Sequence, residues 1–105
     1  MAEATTERAR LLRQEYLSQT ARIPWRDLQT YYAAGSVVRV DPELDLIETA
    51  VQLGLDDAVS FEQWINSGKV APVDDQQALA WFKSEIVLWA VVAAPWILVQ
   101  ERAEV

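Results

Sequence analysis

Apolar side chains recur along this chain at two spacings, and the spacings divide it into helices and strands. Between residues 5 and 20, Ala9, Leu12, Tyr16 and Gln19 share one face with Leu11 beside it, which predicts an amphipathic helix. Arg22-Ile23-Pro24 should break that helix, because the residue before a proline avoids helical geometry. Pro24 suits the first position of a second helix, carried by Trp25, Leu28 and Tyr32 and stopped at Gly35. Ser36–Val40 is short and β-branched and reads as a strand. Asp41-Pro42-Glu43 has the chemistry of a helix start. The helix predicted from it buries Leu46, Ile47, Ala50 and Leu53 and ends at Gly54.

A fourth helix should open at Asp56 or Asp57, with Ser60 and Gln63 as a competing cap. It places Ala58, Phe61 and Ile65 on one face, Trp64 beside them, and Gly68 at its end. Lys69–Val73 reads as a second short strand. Asp74 with Gln77 caps a fifth helix expected to turn Leu79 and Phe82 inward. Ile86–Val99 is apolar at every position, with Trp89, Val91 and Ala93 alternating against Leu88, Ala90 and Val92. That is the pattern of a strand covered on both sides, split or bent at Pro95. It must lie at the centre of a sheet or under a partner subunit. A shift of 33 residues aligns Gly35, Val37, Val40, Asp41 and Leu46 with Gly68, Val70, Val73, Asp74 and Leu79, so each unit reads helix, glycine, strand, aspartate, helix. The expected architecture is α+β, about five helices around three or four short strands, with a possible internal duplication.

Composition narrows the chemistry. The 105 residues contain no histidine and no cysteine. Those side chains supply the commonest base near neutral pH, the thiol nucleophile and the usual zinc ligands. A single domain over residues 1–105 is expected, with residues 1–10 as a loosely ordered tail. The 14-residue run to Val99 falls short of the roughly 20 residues needed to span a bilayer. A soluble cytoplasmic protein is the expectation. Net charge is −7, divided as +2 over residues 1–26 and −9 over residues 27–105. The acidic body could meet a basic partner.

Candidate chemistry is sparse. Asp41, Glu43, Asp45 and Glu48 cluster, as do Asp56 with Asp57 and Asp74 with Asp75. Such groups can hold a divalent cation, but here each stands where a helix begins, and capping is the preferred reading. Ser18, Ser36, Ser60, Ser67 and Ser84 have no histidine to activate them, leaving only a formal Ser–Lys pair with Lys69 or Lys83. Residues 47–73 have the spacing of a helix-turn-helix with a wing. Their outward residues, Asp56, Asp57, Ser60, Glu62 and Gln63, would repel phosphates. The expectation is a non-catalytic protein without cofactor or metal, acting through protein contacts and homo-oligomeric, with nucleic-acid association and divalent-metal binding as alternatives. Candidate interface residues are Trp25, Trp89, Trp96, Ile97 and Val99, since tryptophan is enriched at interfaces.

Three stretches carry a resemblance. Thr20-Ala21-Arg22-Ile23-Pro24-Trp25, Val40-Asp41-Pro42 with Leu44-Asp45-Leu46, and Trp89–Gln100 resemble a bacterial family of uncharacterised proteins, domain of unknown function 2288. The likeness covers about residues 12–100. It implies a small stand-alone bacterial protein and brings no activity or site residue with it.

Overall fold

The apolar run from Ile86 builds the middle of the sheet. In the computed structural model, which describes residues 2–55, 58–93 and 95–101, it folds into β4 (Val87–Ala93) and β5 (Trp96–Gln100), with Pro95 in the turn between them. The two strands are antiparallel, Ala90 opposite Val99 and Val92 opposite Ile97. β1 (Ala21–Pro24) pairs antiparallel with β4, β2 (Val37–Val40) parallel with β5, and β3 (Val70–Pro72) antiparallel with β2. The order is β1-β4-β5-β2-β3, five strands rather than the three or four expected. The unexpected strand is β1. The restriction that Pro24 puts on Ile23 ends a helix, but it also favours extended geometry, and here Ile23 lies opposite Leu88. Both outer strands are short and carry a proline, Pro24 and Pro72. Proline has no N–H to offer and discourages further pairing at an edge.

The alternation in the central strands sorts side chains to two cores. On one face, α1 (Ala2–Gln19) and α3 (Leu46–Gly54) bring Tyr16, Leu46, Ala50 and Val51 against Val40, Val91, Ala93 and Leu98. On the other, α2 (Trp25–Ala33) and α5 (Asp75–Ser84) bring Trp25, Leu28, Ala78 and Trp81 against Val37, Leu88, Ala90, Ile97 and Val99. α4 (Ala58–Asn66) lies beside α3 and β3. Leu88, Val91, Leu98 and Val99 are almost wholly inaccessible, and burying each contributes roughly 1.5–3 kcal/mol. Among the described residues no helix is long and apolar enough to cross a membrane.

Local details depart from the expected pattern for identifiable reasons. α3 starts at Asp45, whose carboxylate accepts from the Glu48 N–H at 3.0 Å. Asp41 instead builds a turn: its carboxylate accepts from the Glu43 N–H at 2.8 Å and its carbonyl from the Leu44 N–H at 3.0 Å. Aspartate before proline favours such a side-chain-closed turn. Asp74 caps α5 as expected, accepting from the Gln77 N–H at 2.7 Å. Asp56, Asp57 and the side chain of Ser60, the expected start of α4, lie outside the described residues. Gly35 and Gly68 both have φ of +77°, the left-handed stop that glycine adopts without strain. Gly54 is no such stop. It is the last residue of α3 and sits where a Cβ would lie 2.9 Å from the Tyr16 hydroxyl, so its smallness lets α1 close onto α3. α5 turns Ala78 and Trp81 inward and leaves Leu79 and Phe82 exposed. Trp81 has the larger apolar surface to bury, and its ring meets Trp25 edge-on at 5.0 Å. The 33-residue repeat survives as punctuation alone, because α3 and α5, which it equates, pack on opposite faces of the sheet.

Gln100 is a buried polar residue that periodicity did not single out. Its Nε2 donates to the carbonyls of Asp41 at 2.9 Å and Leu44 at 2.6 Å, tying the turn before α3 to the end of β5. Replacing it with an apolar side chain strands two carbonyls, at roughly 1–3 kcal/mol for each buried unsatisfied group. Gln100→Leu is therefore expected to lower unfolding free energy by about 2–3 kcal/mol, read by urea denaturation with an unchanged slope. A loss under about 0.5 kcal/mol would show the turn holding without this tie.

Candidate functional site

The five candidate interface residues separate by depth. Trp25, at 1% exposure, and Val99 lie inside the protomer, where Trp25 packs on Tyr32 and Trp81. Neither reaches a surface, because α2 and α5 cover that face of the sheet. Ile97 is buried. Trp89 is half-buried with the Arg22 guanidinium 5.9 Å above its ring, a cation–π arrangement on the opposite face. Trp96 alone of the five is classed as exposed, at 38%.

Trp96 borders an apolar cleft of about 440 Å³ between α2 and the β4–β5 hairpin. Leu28, Ala90 and Ile97 line it from within, and the exposed Tyr31 and Val92 border it with Trp96. Gln19 and Ser36 are its polar members, and among the described residues no charged side chain lines it. The cleft exists because β1 covers β4 only as far as Ala90, and no strand pairs with Val91–Ala93 on the side away from β5 among the described residues. Tyr31 and Val92 carried no distinguishing pattern in the sequence. Alternation placed Val92 on the sheet face that α2 covers, but not past the end of β1.

The clustered acidic groups among the described residues each have a structural partner. Asp45 and Asp74 cap helices, and Asp41 closes its turn. Glu48 forms a two-point ion pair with Arg13, one contact at 3.0 Å. Glu43 pairs with Lys69, and Asp75 accepts from the Tyr32 hydroxyl. Among the described residues no group of three carboxylates could hold a metal ion. Ser18, Ser67 and Ser84 donate to backbone carbonyls of their own helices. The hydrogen bond to Glu43 raises the affinity of Lys69 for its proton, opposite to what a lysine base requires. Residues 70–72, expected as a wing, are the outer strand of the main sheet. The Trp25 indole N–H is buried without a hydrogen-bond partner among the described residues, and the Trp25 ring centre lies 5.5 and 5.0 Å from those of Tyr32 and Trp81.

The model of a protein family described as "Protein of unknown function (DUF2288)" matches residues 11–101. The chain belongs to this family. The DUF2288 chain is also similar to a solved structure described as "NMR solution structure of PA1075 from Pseudomonas Aeruginosa", with 39% sequence identity and a TM-score of 0.79. The match covers 90% of this chain and 87% of that one. No curated protein matches it. The family match takes in α1 from Leu11, both cores and every residue lining the Trp96 cleft.

Two outcomes test these assignments. Asp45→Ala and Asp74→Ala are each expected to cost about 1 kcal/mol of stability, equally with and without Mg²⁺ or Ca²⁺. A loss that appears only with metal present would make the carboxylate a ligand. Burial raises the pKa of Tyr16, and the hydrogen bond to Asp75 raises that of Tyr32. Folded values above the unfolded one mean that their contribution is complete below pH of about 10. It is lost as pH rises through the folded values. Ultraviolet titration should show two tyrosines ionising late, and Tyr32→Phe should remove one of them.

Proposed function

We propose that this protein is a non-catalytic contact protein that self-associates through the apolar surface around Trp96. The observation that carries this reading is the exposed grouping of Tyr31, Val92 and Trp96 around an uncharged cleft, on a chain of net charge −7. Two like-charged copies meet at least cost where neither presents charge. A patch of this kind matches itself across a two-fold axis, the commonest symmetry of small assemblies. Extension of the sheet edge to edge is the rival geometry, and Pro24 and Pro72 oppose it at both outer strands. The absence of histidine and cysteine from the sequence supports a role without covalent chemistry.

Gel filtration with light scattering at micromolar concentration tests the proposal. The expected mass is twice the 11.9 kDa of one chain. Trp96→Ser and Val92→Lys are each expected to return it to the monomer mass with an unchanged circular dichroism spectrum, since both side chains are exposed. A wild-type protein that stays monomeric, or a dimer indifferent to both substitutions, rejects the proposal.

A further inference from the structure

α4 is the one described helix with no buried side chain among those described. Phe61, Trp64 and Ile65 have the i, i+3, i+4 spacing of an apolar face. Yet Phe61 and Trp64 are half-buried, with ring centres 5.6 Å apart, and Ile65 is 55% exposed. None of them joins either core cluster. Val59, on another side of the same helix, is 67% exposed. Helices in globular proteins gain most of their stability by packing such a face, and this one lies open.

The chain segment that contains it is strongly one-sided in charge. Residues 41–75 hold nine carboxylates and one lysine, a net of −8, while the remaining residues hold seven carboxylates and eight cations, a net of +1. The excess negative charge of the molecule thus resides in the segment that contains α4. Its single lysine, Lys69, donates its N–H to the Trp64 carbonyl, and its ammonium is taken by Glu43. Glu62 stands exposed on α4 itself.

We infer that α4 is a docking surface for a cationic, amphipathic helical segment of another protein. Its apolar side chains would lie on Ile65, Trp64 and Phe61, and its lysines or arginines would meet Glu62 and the other carboxylates of this segment. The arginine-bearing helix α1 of a second copy does not supply that partner. The equivalent surface of that copy carries the same negative charge, and on its α1 Arg8 is held by the Gly54 carbonyl, Arg10 by Glu7 and Arg13 by Glu48. A phosphate backbone is repelled by the same carboxylates. The inference stands apart from the Trp96 surface and does not need it.

The test is a titration of the isotope-labelled full chain, followed by amide chemical shifts. Four probes are added in turn: a synthetic leucine–lysine amphipathic helix, a leucine–glutamate helix and a glycine–lysine peptide, all of equal length, and a short mixed-sequence DNA duplex. The leucine–lysine helix is expected to move the resonances of residues 59–70, and the other three to leave them in place. The double variant Val59→Ser, Ile65→Ser is expected to weaken that binding about tenfold, with light-scattering mass unchanged. Both side chains are exposed, so the fold does not depend on them. The inference fails if the leucine–lysine helix leaves residues 59–70 unmoved, or if the double variant binds as tightly as the wild type. It fails equally if the glycine–lysine peptide or the DNA produces the same shifts.

Discussion

Burial of the β4–β5 hairpin on both faces is the constraint around which the other elements are arranged. A hairpin with no polar face is insoluble by itself. Here it is flanked by β1 and β2 in the plane and covered by α1 and α3 on one side and α2 and α5 on the other. The polar contacts serve the same enclosure. Gln100 holds the turn that leads into α3, and Arg13 and Arg8 fix α1 across α3, at Glu48 near its start and at the Gly54 carbonyl at its end.

Elements with strong local chemistry were legible in the sequence. Asp74 and Gln77 announced α5, Gly35 and Gly68 announced two helix ends, and unbroken apolar alternation announced the central strands. Elements defined by distant neighbours were not. β1 is a strand because β4 is there to pair with it, and Ala21-Arg22-Ile23-Pro24 has no alternation that says so. α3 begins at Asp45 because Gln100, far along the chain, gathers the carbonyls of the Asp41–Leu44 turn. Leu79 and Phe82 were assigned inward by spacing, but the packing of Trp81 on Trp25 sets the rotation of α5.

The same division holds for the surface. Trp25 and Trp96 are equally plausible interface anchors by residue type, but Trp25, like Val99, is interior and Trp96 is exposed. Tyr31 and Val92 join Trp96 only because β1 stops at Ala90. Membership in the DUF2288 family and likeness to the Pseudomonas structure establish the fold across nearly the whole chain. The open surfaces around Trp96 and along α4 bring the question of function down to specific side chains.

The parallel pairing of β2 with β5 joins Val37–Arg39 to Ile97–Val99 across residues 40–96. Closing a loop that long comes before most of its reward in contacts, a topology that slows folding. On the ribosome, all five described helices and β1, β2 and β3 emerge before β4 and β5. Until β5 clears the exit tunnel, the apolar sides of the covering helices lack the hairpin they pack on. The nascent chain is then a set of amphipathic pieces with nothing to enclose, so its passage into a stable globule waits for β5.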